Sequence, residues 1–266
     1  MTSAVRYEQD GDVGVIYLAN AARMNPLSEE MQQGLLELLE RIERERSVRA
    51  VLLIGEGKSF CVGADLNGMQ AAEGDTRSLG QRTADTMMVL SNPLILRLQS
   101  MSVPVVSALN GVAAGAGVGL ALAADVVIAA RSAYFYLPFM PKLGIVPDLG
   151  SSWFLTQQLG RVRATALTLL GDRLSAEQAQ QWGLIWEVCD DAYLDTQARG
   201  LCKRLAALPP HAVVETRAAV AAALVNGLSE QLNYEAQRQR ELIDRASFVE
   251  GVSAFLARRE PVFKAG

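Results

Sequence analysis

Apolar positions are spaced differently in successive parts of the chain. Residues 13–19, "VGVIYLA", form a short apolar run, and "MNPLSEEMQQGLLELLERIERER" then places Leu35, Leu36, Leu38, Leu39 and Ile42 at helical spacing behind a Pro and a Ser suited to a helix start. Residues 48–57, "VRAVLLIGEG", are mostly apolar and closed by a turn, as expected of a strand covered on both faces. A strand–helix–strand crossover is predicted. A polar, Gly-containing interval over 70–81 follows, and a second helix is expected over about 83–101 with a kink at Pro93. "VPVVSALNG" and "DVVIAAR" read as two more buried strands, separated by a Gly-rich stretch that opens a helix.

"SAYFYLPFMPKLGIVPDLGSSWFLTQQLG" mixes aromatics, prolines and glycines, which is loop chemistry beside a site rather than regular core. From Arg161 onward the pattern is mostly helical. Strand–helix units followed by helices predict an α/β core with a helical tail that must pack on something. Neither an internal repeat nor a low-complexity linker is present.

Composition narrows the functional classes. The 266 residues suffice for a substantial core, and a net charge of −4 with scattered Lys and Arg argues against a nucleic-acid surface. The longest uncharged apolar run, residues 111–124, is closed by Asp125 and is too short to span a membrane. Acidic residues near the N-terminus stand where a signal peptide would be basic, so a cytoplasmic location is expected. Cys61, Cys189 and Cys202 are odd in number with no metal-like spacing, which fits reduced thiols. A single histidine, His211, leaves serine or cysteine triads and histidine-rich metal sites without most of their parts.

The stretch "NGVAAGAGVGLALAADVVIAA" carries glycines at 111, 115, 117 and 119. It fits the dinucleotide fingerprint poorly, because Gly119 comes one place early and the nearby acid, Asp125, precedes the next strand. Two readings remain: close helix packing, or backbone amides presented to an oxygen anion.

Several separated pieces resemble one family. "SFCVGADL" (59–66), the Gly-rich stretch, "KLGIVPDLGSS" and "ALTLLGDRLSAEQAQQWGLIWEV" are similar, in order and spacing, to the crotonase or enoyl-CoA hydratase/isomerase superfamily. The likeness covers nearly the whole chain, including the ending "EGVSAFLARREPVF", and is nearest to isomerases of phenylacetate degradation through "FCVGADLN", "IVPDLG" and "LSAEQAQQWGLIWEV". The resemblance implies an α/β fold: a spiral of β-β-α units over 1–198 with a C-terminal helical oligomerisation region over 199–266. It also implies a homotrimer or a hexamer of paired trimers. The implied ligand is an acyl-CoA whose thioester carbonyl meets two backbone N–H groups, mapping onto Ala64 and Ala116. Ala64 follows the flexible Gly63, and Ala116 lies between Gly115 and Gly117 at a helix start, where unpaired N–H groups and the helix dipole favour negative charge. Asp65 and Leu66 would adjoin the substrate, Arg23 would reach CoA phosphates, and Phe263 and Lys264 would be offered to the nucleotide across a subunit boundary. Neither metal nor redox cofactor is implied, since CoA arrives as part of the substrate.

The same resemblance sorts the chemistry. The two glutamates that activate water in the hydratases map onto Gly119 and Phe139, or Met140 if the loop shifts by one, and none of these transfers protons. Asp148, in "GIVPDLG", stands where similar isomerases and aryl-CoA dehalogenase-like members place a carboxylate. Its neighbours Ile145, Val146, Leu149 and Trp153 are apolar and would raise its pKa by desolvation. A plainer role is capping the helix that begins near Ser151. Plain roles are also assigned to Asp65 (a cap for the next helix), Asp125 (a structural hydrogen bond), Glu187 and Asp190 (a solvated turn) and His211 (a helix start). The expected function is an isomerase that moves a double bond from 3-enoyl-CoA to 2-enoyl-CoA or rearranges ring-1,2-epoxyphenylacetyl-CoA. Enoyl-CoA hydratase, acyl-CoA hydrolase or dehalogenase, and a non-catalytic acyl-CoA-binding scaffold are the alternatives.

Overall fold

A computed structural model describes residues 4–66 and 75–263. The chain opens with an antiparallel hairpin, β1 Val5–Asp10 and β2 Val13–Leu18. Helix α1, Glu29–Glu45, is started by the Ser28 hydroxyl, which accepts from the Met31 amide at 3.2 Å, and it buries Met31, Leu35, Leu38, Leu39 and Ile42. Strands β3 Ala50–Gly55 and β4 Ser59–Cys61 follow.

The second helical region is longer and less regular than a single kinked helix. It comprises α2 Leu79–Thr86, a π-helical stretch Met87–Ser91 and α3 Asn92–Ser100. Pro93 has no N–H for the Val89 carbonyl, so the ladder slips to wider spacing just ahead of it. The start is fixed by a capping box in which Ser78 and Gln81 satisfy each other's backbone amides. Next come β5 Val105–Leu109, β6 Val112–Ala114, α4 Ala116–Leu122, β7 Val126–Ala130 and β8 Tyr134–Tyr136. Beyond them lie α5 Ser151–Leu170, broken at Gly160, then β9 Leu174–Ser175, α6 Ala176–Gln181, β10 Glu187–Cys189 and α7 Leu194–Ala206. The tail is α8 Ala212–Ala223, α9 Leu228–Leu242 and α10 Ala246–Leu256.

Two sheets result, a six-stranded one in the order β1-β2-β3-β5-β7-β10 and a four-stranded one in the order β4-β6-β8-β9. The pairs β3-β4, β5-β6 and β7-β8 each place one strand in each sheet before the chain turns into helix, which is the expected spiral of β-β-α units. Strand β3 is buried along its whole length and pairs in parallel with β2 and β5, while α7 packs on β2, β3, β5 and β7. Glu187 does not sit in a solvated turn: it begins β10, which extends the first sheet beside β7. Asp125 has the structural role expected. Its carboxylate accepts from the Val105 amide at 2.8 Å and pairs with Arg217 of α8 at 2.6 Å, tying the tail to the core. No helix among the described residues is long and apolar enough to cross a membrane.

Candidate active site

The turn before α1 is built around Asn25. Met24 and Asn25 both take left-handed backbone conformations, with φ of 63° and 57°. The Asn25 side chain is fully buried, donating Nδ2 to the carbonyls of Glu56 and Ser59 at 2.9 Å and Phe60 at 3.3 Å, while its Oδ1 accepts from the Asn20 amide at 2.9 Å. These bonds fasten the turn to the β3–β4 connection. Two residues on, the Leu27 amide donates to the Gly63 carbonyl at 2.8 Å and Leu27 forms an isolated bridge with Ala64. Arg23 adds a bidentate pair to Asp65, at 2.8 and 2.6 Å. Residues 23–27 therefore hold the Ala64 loop from one side. Arg23, expected to face CoA phosphates, is half exposed and has both terminal nitrogens on Asp65. Leu66 beside it is exposed, and residues 67–74, which follow Asp65, lie outside the described residues.

Two glycines bring Ala64 to Ala116. Gly63 has φ of 91°, and a Cβ on it would lie 2.8 Å from the Ala114 carbonyl oxygen and 3.1 Å from the Ala116 nitrogen. Gly115, with φ of 52° and ψ of −129°, is likewise in a region that side chains avoid. Only bare backbone permits this approach, which sets the loop of Ala64 beside the first residue of α4. Ala116 is that first residue, so its N–H has no carbonyl one turn back to bond. Phe139 is buried, with its ring tip 3.9 Å from where a Gly115 Cβ would stand. Of the two positions onto which the resemblance maps the second hydratase glutamate, Phe139 is buried and Met140 exposed, and both are apolar.

Asp148 completes the cluster. Leu149 and Gly150 follow it in left-handed conformations, with φ of 47° and 74°, and the Ser151 amide donates to the Asp148 carbonyl at 2.9 Å. The cap of α5 is Gly150 and no side chain bonds to the helix start, so Asp148 does not serve as the cap. The tight left-handed turn puts its carboxylate elsewhere. That carboxylate is half-buried, its Oδ1 is out of solvent with no hydrogen-bond partner, and burial pushes its pKa from 3.8 up to about 6, its own backbone hydrogen bond pulling slightly the other way. Only one of the neighbours expected to desolvate it is itself out of solvent. Of the four apolar residues around it, Leu149 is buried, whereas Ile145, Val146 and Trp153 are exposed. What lies beneath is α4: a Cβ on Gly119 would stand 2.2 Å from the Leu149 carbonyl oxygen. Gly119 is one helical turn beyond Ala116, roughly 4.5 Å along the axis. The Asp148 turn, Ala116 and the Ala64 loop thus share one locale.

Phe263 is not part of it within this chain. Its carbonyl accepts from Arg49 Nη1 at 2.9 Å, and Arg49 precedes β3, whose opposite end leads to the Ala64 loop. Those ends are roughly 17 Å apart for a strand of this length. Lys264 lies outside the described residues. His211 stands at the start of α8, away from the cluster. Among the described residues, no group of three or more His, Cys, Asp and Glu side chains is placed to hold a metal ion.

Comparison with known proteins agrees in extent with this geometry. The family model described as "Enoyl-CoA hydratase/isomerase" matches residues 8–266. A 1,2-epoxyphenylacetyl-CoA isomerase of Escherichia coli K12 is 44% identical over 252 residues, covering 94% of both chains. A probable enoyl-CoA hydratase of Rhodobacter capsulatus is 40% identical over 259 residues, covering 97% of both. The crystal structure of an enoyl-CoA hydratase from Polaromonas sp. JS666 superposes with a TM-score of 0.90 at 30% identity, covering 98% of this chain and 99% of that one.

Proposed function

Because this chain belongs to the enoyl-CoA hydratase/isomerase family, we propose that it is an acyl-CoA isomerase in which Asp148 moves the proton and the amides of Ala64 and Ala116 hold the thioester oxygen. The observation that carries this reading is the half-buried carboxylate of Asp148, with an unpartnered oxygen, seated beside the helix that Ala116 opens. Polarising the thioester carbonyl acidifies the proton on C2. The carboxylate takes that proton, the C–H electrons pass to the oxygen as an enolate, and the two N–H groups stabilise the charge by roughly 3 to 4 kcal/mol each. Returning the proton at C4 shifts the double bond, so one carboxylate suffices. No cofactor is needed beyond the CoA that the substrate carries.

Two substrate classes fit this chemistry: 3-enoyl-CoA, converted to 2-enoyl-CoA, and ring-1,2-epoxyphenylacetyl-CoA. Similarity to the E. coli isomerase supports the second. Hydration is disfavoured because Gly119 and Phe139 offer no acid to activate water. Incubation with 3-enoyl-CoA in D2O, following conjugated product by absorbance and deuterium by mass spectrometry, tests the reading, with the ring epoxide in parallel. Formation of 3-hydroxyacyl-CoA without any isomerised product overturns it, as does Asp148-dependent halide release from 4-halobenzoyl-CoA.

Assembly as a homotrimer, or a hexamer of paired trimers, is part of the same reading. Its support is the apolar surface that α8–α10 leave exposed in the single chain, including Leu224, Leu228, Leu232, Phe255 and Leu256. Light scattering that reports a monomer at micromolar concentration refutes it.

A further inference from the structure

Gly119 does more than lack a carboxylate. The Leu149 carbonyl oxygen lies 2.2 Å, its carbonyl carbon 2.9 Å and its Cβ 2.9 Å from where a Cβ on Gly119 would stand. No side chain fits there unless the Leu149 backbone withdraws from α4. Leu149 is itself buried and held at φ of 47°, a conformation that leucine rarely adopts. On its far side Gly150 is closed in by Phe154, whose ring would be 3.0 Å from a Cβ at that position. The turn is therefore clamped between α4 and the first turn of α5. Asp148 Oδ1 has no hydrogen-bond partner, so where it lies depends on how the adjoining Leu149 backbone is seated.

We propose that Gly119 is the positioning residue for Asp148: the bare surface of α4 at this point lets the Leu149 carbonyl seat against the helix, and that seat holds the carboxylate where it meets substrate. The proposal rests on reading Asp148 as the base of the reaction. It has a chemical corollary. A side chain at 119 and a seated Asp148 exclude one another, so Gly119→Glu, which restores the acid of a hydratase-type site, displaces the isomerase base instead of adding a second carboxylate. Hydration is not gained and isomerisation is lost.

The test follows the Asp148 carboxyl directly, by carbon NMR of protein labelled at aspartate carboxyls and assigned with Asp148→Asn, alongside steady-state kinetics on the full chain. In Gly119→Ala the carboxyl is expected to titrate near the ordinary value of about 4 rather than near 6. The kcat is expected to fall about 30-fold or more, with KM changed less than about threefold, the split that separates lost positioning from lost binding. If the added methyl prevents folding, Leu149→Gly keeps Gly119 but frees the turn, and it is expected to shift the titration and kcat in the same direction. An unmoved Asp148 titration in the folded variant overturns the positioning role, whatever the activity. A moved titration in a protein whose wild type isomerises no acyl-CoA leaves the positioning role standing and overturns the functional reading alone.

Discussion

Asp148→Asn exchanges a carboxylate oxygen for an amide of nearly the same shape, and its consequence for stability is set by the sign of the pKa shift. The folded protein raises this carboxyl from 3.8 to about 6, so the folded state holds the proton more tightly than the unfolded chain does. Stability from this group is fully present below about pH 4 and is lost as pH rises through 6. At 1.36 kcal/mol per unit, the shift corresponds to at most about 3 kcal/mol, because the group is only half-buried and solvent screens part of the cost. The Asn variant does not titrate. The stability of the variant minus that of the wild type should therefore rise by up to about 3 kcal/mol between pH 4 and pH 8, or roughly 6 °C in Tm for a chain of this size. Carboxylates held below their usual range, such as Glu8, Glu215 and Asp191, are present in both proteins and cancel in the difference. Urea denaturation at five pH values measures it. Activity should move oppositely: kcat of the wild type rises through pH 6 as the carboxylate ionises, and the Asn variant loses about 10²- to 10⁴-fold. A pH-independent stability difference would refute the argument, since it would mean that folding does not desolvate this carboxyl.

Asn25→Ala leaves the buried carbonyls of Glu56, Ser59 and Phe60 short of a donor and should cost about 2 to 4 kcal/mol by chemical denaturation, and a loss below about 1 kcal/mol contradicts its role as a strut. Arg23→Ala should raise KM for acyl-CoA roughly tenfold with kcat nearly unchanged, if the guanidinium meets phosphate while paired with Asp65. An unaltered KM would assign it to Asp65 alone. Burial pushes the Cys61 and Cys202 thiols up to about 12 and raises Cys189 as well, so the native protein should be inert to a thiol-labelling disulfide at pH 8 and yield three equivalents only after denaturation. Rapid labelling of the folded chain would show that one of these sites opens.

The parts of the fold that periodicity revealed were the long ones. Helix α1 shows its apolar stripe over seventeen residues, β3 is an unbroken apolar run and β5 is interrupted only by the buried Ser107, as suits strands buried along their whole length. The second sheet escaped the same reasoning. Strands β4, β6 and β8 have three residues each and β9 has two, too few for alternation to register, and only the family resemblance supplied the β-β-α repeat. Strand β1, "VRYEQD", is charged because it forms the sheet edge, and β10 hides behind an exposed Glu187 for the same reason. The start of α2 was visible in principle, since Ser78 and Gln81 have the spacing of a capping box.

For the candidate site, the residues could be nominated from sequence but their conformation could not. A sequence reading Asp-Leu-Gly-Ser ahead of a helix fits a cap as well as a base, and the cap is excluded only by the positive φ of Leu149, which leucine's own preference argues against and packing on α4 imposes. Asn25 escaped for a similar reason, because an Asn before a Pro signals a turn but not the three carbonyls it bonds. The glycine-rich stretch makes the point most sharply. Gly115 lies against Gly63, a Cβ on Gly117 would stand 2.4 Å from the Cys61 carbonyl oxygen, and one on Gly119 would stand 2.2 Å from the Leu149 carbonyl oxygen, so three glycines of one short segment meet three different neighbours. Their spacing imitates a nucleotide fingerprint because successive positions around a helix start must all lack side chains, not because a phosphate approaches. Close packing and anion stabilisation are then not rival accounts of this stretch. The contacts that demand glycine at 63 and 115 set the Ala64 loop beside the free amide of Ala116, and the contact that demands it at 119 seats the Asp148 turn on the same helix one turn away, so the proposed chemistry follows from the packing.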